Sequence, residues 1–208
     1  MQKRAVIIFL VGLLVLLGGA AAYLLTSPES TVARLPSQAG SGTPQVGGAF
    51  ELLDQSGQTR TQADFAGRHM LVYFGYTDCP DVCPTSLAIM SQAVDLLEEE
   101  VGTLEDRLVP LFVTVDPARD DVAAMAAYAE HFHPRLVALT GSDEQIAAAA
   151  KAYRVYYRRA EDPSATEYLM DHSSFIYLMG TDGTYVSHFA HNATPQEIAE
   201  GLKGFLKL

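Results

Sequence analysis

The chain has no tryptophan and only two cysteines among its 208 residues. Two cysteines cannot staple a small disulfide-rich scaffold, so the fold must rest on a packed core. Basic residues are also scarce. Fourteen Lys and Arg stand against 25 Asp and Glu, a formal net charge of −11. That balance argues against a nucleic-acid partner, whose phosphates need clustered Lys and Arg. Charged residues make up 19% of the chain and hydrophobic residues 49%, a composition that fills a core and is not that of a disordered chain. The length allows one ordinary domain plus appendages.

The longest uncharged run is at the start. Lys3 and Arg4 precede Ala5 to Leu25, in which no charge occurs. At 1.5 Å per residue, about 21 helical residues span roughly 31 Å, close to the hydrocarbon thickness of a bilayer. The expectation is a transmembrane anchor over 5–25, with residues 1–4 cytoplasmic and the remainder translocated, because the basic flank comes first. Ala20–Ala21–Ala22 would suit signal cleavage, but the run exceeds a signal h-region of roughly 7–15 residues. No Arg- and Ser-rich amphipathic stretch precedes the run, as a mitochondrial transit peptide would require. Residues 26–46 carry Pro28, Pro36 and Pro44 among Ser, Thr, Gly and Gln, and read as a flexible linker.

Residues 47–208 hold 11 basic and 24 acidic residues and read as one soluble domain. So acidic a domain is not built to lie on anionic lipid. Phe50–Asp54 and Gln58–Thr61 flank Ser56–Gly57 as a short hairpin. Met70–Tyr76 and Leu108–Val115 are continuous apolar runs, the pattern of strands covered on both faces. Pro84 to Val101 reads as a helix, with Leu87, Met90, Val94, Leu97 and Val101 on its buried face, Pro84 at the first helical position and Gly102 just past the end. Asp121–His133 is a helix with Val122, Met125, Ala129 and Phe132 inward. Leu136–Leu139 is a strand, Asp143–Tyr153 a helix and Val155–Arg158 a further strand. Phe175–Met179 and Tyr185–Phe189 bracket Asp182–Gly183 as a hairpin. Pro195–Leu206 closes the chain, with Ile198, Leu202 and Phe205 inward. Strands alternating with helices imply an α/β domain with a mainly parallel central sheet, made mixed by the terminal hairpin. The sum resembles a thioredoxin-like layout with insertions.

Both cysteines fall in Cys79-Pro80-Asp81-Val82-Cys83, between a buried strand and a helix. Ligands of open α/β sheets bind beyond the carboxyl ends of strands. Cys83 is expected at the helix N-terminus, where free N–H groups and the dipole favour its thiolate. A purely stabilising disulfide would close a loop of about five residues and contribute only about 2 kcal/mol. Two uses of paired thiolates remain: dithiol redox chemistry and soft-metal binding. A metal needs a third ligand, and there are six histidines. His172, in Asp171-His172-Ser173, directly precedes the buried run Phe175–Met179, so a strand entrance brings it toward the cysteine turn. Asp171 and Ser173 could orient its ring. His69, His131, His133, His188 and His191 read as solvated surface residues. Asp78 and Asp81 read either as turn and cap residues or as charge favouring a cation. Asp120 reads in part as a helix cap. Met170 and Met179 are potential soft ligands, although Met in a strand pattern is usually core.

With these segments placed, the sequence resembles the Sco/SenC family of membrane-anchored, thioredoxin-like copper proteins. The resemblance is carried by Tyr73-Phe74-Gly75-Tyr76-Thr77 with Cys79-Pro80-Asp81-Val82-Cys83-Pro84, by Thr114-Val115-Asp116-Pro117 with Arg119-Asp120, and by Asp171-His172-Ser173. It implies that Cys79, Cys83 and His172 hold one copper ion per monomer. Two thiolates suit Cu(I), and one imidazole completes a trigonal site that also accepts Cu(II). It also implies delivery to the copper-receiving subunit of cytochrome c oxidase, for its dinuclear centre. Other copper carriers or thiol reductants are further partners, and the domain would lie on the periplasmic side of a bacterial inner membrane.

Thiol–disulfide exchange by Cys79 and Cys83, keeping the target's cysteines reduced, is the alternative, although the spacing is C-x3-C rather than C-x2-C and His172 then has no necessary role. A peroxiredoxin-type peroxidase would need Pro and Thr where Val72 and Tyr76 stand. Zinc is the rival metal, since a Cys2His set with an open position occurs in catalytic zinc sites, but no evident catalytic base accompanies it here.

Overall fold

The computed structural model describes residues 45–160 and 168–208. The expected anchor over 5–25, and most of the linker, lie outside the described residues. Among the described residues no helix is long and apolar enough to cross a membrane.

Nine strands and four α-helices are described. The strands are β1 (Glu51–Asp54), β2 (Thr59–Thr61), β3 (His69–Gly75), β4 (Leu108–Thr114), β5 (Val137–Thr140), β6 (Tyr157–Ala160), β7 (Leu169–His172), β8 (Ile176–Met179) and β9 (Tyr185–Phe189). The helices are α1 (Val82–Val101), α2 (Val122–Ala129), α3 (Asp143–Ala152) and α4 (Pro195–Leu206). Seven strands form one sheet in the order β2-β1-β5-β4-β3-β8-β9, and β6 pairs with β7 in a separate two-stranded sheet.

The sheet is mixed, as the sequence pattern predicts. β3, β4 and β5 run parallel, from Tyr73 beside Phe112 to Phe112 beside Ala138. β1, β8 and β9 are antiparallel to their neighbours. β3 and β4 are the central strands, and every residue of β4 is buried. This is why both read as unbroken apolar runs rather than alternating ones.

This topology fixes the location of the chemistry. Parallel β3 and β4 deliver their carboxyl ends, Gly75 and Thr114, side by side. Antiparallel β8 brings its first residue, Ile176, beside Tyr73, so the segment before it returns to that same edge. The cysteine turn, the Asp116–Asp120 segment and His172 therefore meet at one pole.

Helix α1 starts two residues before the expected Pro84, so Cys83 lies inside its first turn rather than at its cap. Leu87, Met90, Val94 and Leu97 are buried as their spacing implies. Val101, expected inward, is 40% exposed as the last residue of the helix. Gly102 follows at φ 82°, a conformation that favours glycine, and its N–H closes the helix on the Glu98 carbonyl at 2.9 Å.

Helix α2 ends at Ala129, short of the expected His133. Pro134 disfavours helical backbone at the preceding residue. His133 is not solvated: it is buried, its ring Nε2 lies 3.5 Å from Asp95 and 3.6 Å from Glu98 of α1, and its N–H donates to Ser91 Oγ at 3.1 Å. Its pKa is lowered, since burial disfavours the charged ring.

Helices α3 and α4 begin at capping boxes built on Ser142 with Gln145 and Thr194 with Glu197. In α4, Leu206 rather than Phe205 completes the buried face beside Ile198 and Leu202. Strand β7 was not anticipated. The expected strand near Val155 begins at Tyr157 and pairs with β7, setting Tyr157 opposite His172.

Candidate metal centre

The cysteine turn leaves the end of β3. It is fastened from below by Asp120, whose carboxylate accepts from the Thr77 N–H at 3.1 Å, the Thr77 hydroxyl at 2.5 Å and the Thr114 hydroxyl at 2.5 Å. Asp120 is fully buried. Burial pushes its pKa up despite these three donors. It is thus a clamp between β4 and the turn rather than a helix cap. The cap of α2 is Asp121, which accepts from the Ala124 N–H at 2.8 Å.

Cys83 is completely buried and Cys79 half-buried. Because Cys83 sits within the first turn of α1, its N–H points outward and lies 3.3 Å from Cys79 Sγ. The helix N-terminus therefore serves the Cys79 sulfur, the reverse of the expectation from sequence. A hydrogen bond from the Cys83 thiol, helped by the His172 ring and the N–H groups of Asp81 and Cys83, outweighs burial and draws the Cys79 thiol down to about 3. Cys83 moves the opposite way, held protonated by its hydrogen bond to Cys79 and by burial. Of the two sulfurs, Cys79 is thus the more acidic.

Gly75 makes room for the Cys83 sulfur. A Cβ at that position would stand 2.8 Å from Cys83 Sγ, 3.0 Å from Tyr73 Cε1 and 3.1 Å from Phe112 Cε2. The hydroxyl of Tyr73 is buried there with no hydrogen-bond partner among the described residues.

His172 closes the cluster from the end of β7. Its Nε2 lies 3.3 Å from Cys83 Sγ, while Nδ1 lies 3.0 Å from the Ser173 carbonyl oxygen. A carbonyl only accepts, so Nδ1 carries a proton and Nε2 is the atom turned to the sulfurs. The rings of Tyr73 and Tyr76 meet the imidazole edge-on, with centroids 6.2 and 5.9 Å away. The two sulfurs and the ring nitrogen all lie within 4.8 Å of one another. Metal–sulfur and metal–nitrogen bonds of about 2.3 and 2.0 Å in a trigonal arrangement need donors roughly 3.5–4 Å apart. Small side-chain adjustments suffice, and the donor set is a soft one.

Other sequence candidates fall elsewhere. Asp78 is ion-paired to Arg119 at 3.1 Å rather than free to attract a cation, and Asp81 precedes α1 without a side-chain capping bond. Met179 is buried beside Met70 at the start of β3, away from the turn, and Met170 packs partly buried against the core. His69 opens β3 at the opposite pole. His188 pairs with the Tyr185 hydroxyl at 2.6 Å. Gly75 and Arg119 belong to the segments that carry the resemblance, but the sequence assigns neither a role at the site, and it does not single out Tyr168. A signal for Arg119 was present, since it follows a strand parallel to the one that feeds the cysteine turn.

Fold and site together define a thioredoxin-like α/β domain carrying a Cys2His soft-metal donor set at the carboxyl ends of its central strands. The sequence model of the SCO1/SenC family matches residues 38–207. Protein sco1 of Schizosaccharomyces pombe is 44% identical over 166 residues, covering 79% of this chain and 62% of that protein, so the chain spans less than two thirds of its length. An SCO2-like protein of Rickettsia felis is 38% identical over 207 residues, 98% of each chain. Among solved structures, Arabidopsis thaliana ScoI with copper bound superposes with a TM-score of 0.73 at 36% identity, over 78% of this chain and 98% of that one. The chain belongs to the SCO1/SenC family.

Proposed function

We propose that this protein is a copper carrier that takes one copper ion on Cys79, Cys83 and His172 and passes it to the copper-receiving subunit of cytochrome c oxidase during assembly of its dinuclear centre. The observation that carries this reading is the convergence of two sulfurs and one imidazole nitrogen within 4.8 Å at an open strand end. Copper bound to the structurally similar Arabidopsis protein supports copper over zinc. Thiolates favour Cu(I), and the imidazole extends the site to Cu(II). Loading requires both sulfurs as thiolates, and Cys79 is the more acidic of the two.

In this reading residues 5–25 anchor the chain in a bacterial inner membrane, residues 26–46 form the tether, and the domain faces the periplasm. The uncharged run and its basic flank support that topology, as does the near full-length match to a bacterial relative.

Copper titration of the wild type and of His172→Ala tests the assignment. The wild type is expected to bind one equivalent. The variant is expected to lose at least tenfold in Cu(II) affinity together with imidazole nitrogen coupling in its electron paramagnetic resonance spectrum. Equal affinities would remove His172 from the ligand set.

One observation favours a second use of the same turn. A half-buried Cys79 thiolate beside the Cys83 sulfur is also poised for thiol–disulfide exchange with the target's cysteines. A dithiol potential close to the compartment's poise, with turnover of a target disulfide, would support that role beside delivery. A potential far below that poise, with no exchange, would exclude it.

A further inference from the structure

The two sulfurs and the nitrogen of the site have different supports. Cys83 is built into α1 over the core, and the turn bearing Cys79 is fastened by Asp120. His172 belongs to β7, which among the described residues pairs only with β6 and not with the seven-stranded sheet. Something must hold that hairpin in register with the turn, and the side chain of Arg119 touches both.

The Arg119 guanidinium donates from Nε to Asp116 Oδ2 at 2.5 Å, and its Nη1 lies 3.1 Å from Asp78 Oδ2 in the cysteine turn. The same Nη1 donates to the Tyr168 carbonyl oxygen at 3.0 Å, four residues before His172. The guanidinium carbon lies 3.8 Å from the Tyr168 ring centroid and 5.6 Å from that of Tyr76. Tyr168 is held in turn, with its hydroxyl donating to Asp116 Oδ1 at 2.9 Å and the Arg159 guanidinium 3.4 Å from its ring centroid. The Arg119 side chain is only 17% exposed and that of Asp116 5%, so this pair is largely shielded from solvent, whereas Asp78 is 57% exposed. Three separate stretches of chain meet on one planar, permanently charged fork, an arrangement that a lysine ammonium cannot reproduce.

We propose that Arg119 is the positioning residue that sets the engagement of His172 with the cysteine turn. It governs the nitrogen ligand and leaves thiolate binding largely to the core. The inference rests on the copper reading of the site. It concerns an element that the free domain already shows, so it can be tested with and without metal.

The experiment compares wild type with Arg119→Gln and Arg119→Lys, using Lys203→Gln, a surface change on α4, as control. In the metal-free protein, NMR cross-peaks between the His172 and Tyr76 rings are expected in the wild type and the control. They are expected to weaken or vanish in both Arg119 variants. With copper, Cu(II) affinity is expected to fall 10- to 100-fold with loss of imidazole coupling, the usual scale for residues that orient a metal ligand. Cu(I) affinity, carried by two sulfurs, is expected to change less than threefold. Should Arg119→Gln not fold, Tyr168→Ala removes the stacking surface while leaving the guanidinium, and is expected to give the same selective loss.

Cross-peaks unchanged in the Arg119 variants would overturn the proposal. So would equal losses of Cu(I) and Cu(II) affinity, which mark a general structural role. A wild type that binds no copper would instead refute the copper reading, and the metal-free cross-peaks would still decide the role of Arg119.

Discussion

Substitution of Gly75 by alanine tests whether the site depends on a close approach of backbone to sulfur. The added methyl would lie 2.8 Å from Cys83 Sγ, whereas ordinary contacts begin near 3.4 Å, so the sulfur must move by at least about 0.6 Å. Retreat is restricted, because Tyr73 and Phe112 would stand 3.0 and 3.1 Å from the same methyl. Their rings lie stacked with centroids 6.3 Å apart. Overpacking of this kind costs about 1–3 kcal/mol in stability. A displacement of that size at one of three ligands is expected to lower copper affinity by roughly 10- to 100-fold. The assay is paired: urea unfolding of the metal-free domain, and competition for Cu(I) against a chelator of known affinity. A folded Gly75→Ala protein that binds Cu(I) within twofold of the wild type would refute the reasoning. It would mean that the sulfur has more freedom than the packing allows.

Further outcomes are expected away from the sulfurs. Asp120→Ala strands the Thr77 N–H and two threonine hydroxyls beneath the turn, and is expected to cost about 2–4 kcal/mol in urea unfolding with a parallel loss of copper affinity; a normal affinity would show that the turn holds its shape unaided. Burial alone would raise the pKa of Asp54, but the Ser56 hydroxyl, Arg60 and the N–H groups of Gln58 and Ser56 lower it to about 2. Because this carboxylate is depressed in the folded state, its contribution of about 2 kcal/mol is present above pH 4 and is lost as the pH falls toward 2. The stability gap between wild type and Asp54→Asn should therefore be larger at pH 7 than at pH 2.5, and a gap that does not change with pH would contradict the assignment. Phe112→Ala, at a fully buried position of β4, is expected to cost about 3–5 kcal/mol in the same assay.

The central strands, most of the helices and the three side chains that converge at the candidate site were legible because each has a local signature. Met70 to Gly75 and Leu108 to Thr114 are apolar without interruption, and only strands covered on both faces need that. His172 was legible through its place before a buried run whose antiparallel pairing returns it to the turn. What escaped depends on long-range geometry. The unlike settings of the two cysteines depend on where α1 begins: Cys83 lies inside its first turn, and its N–H faces the Cys79 sulfur. Strand β7 was invisible because Leu169 to His172 lies on a hairpin outside the main sheet, where no burial pattern marks it. Phe205 and Leu206 exchanged roles by one position, a shift that periodicity alone does not resolve. The clamp on Arg119 joins the nearby Asp116 to the distant Asp78 and Tyr168, and no local pattern announces the two distant contacts.

The division of the ligands between two sheets has a consequence for how an ion leaves. Both sulfurs ride on the packed body, whereas the imidazole rides on an arm whose backbone ladder is complete within itself. Swinging that arm outward must break the contacts of Tyr168 with Arg119 and Asp116, but it breaks no rung of the seven-stranded sheet. If the site carries copper as proposed, release can begin with the nitrogen and open a face for an incoming ligand, while the sulfurs keep their hold and the body stays folded.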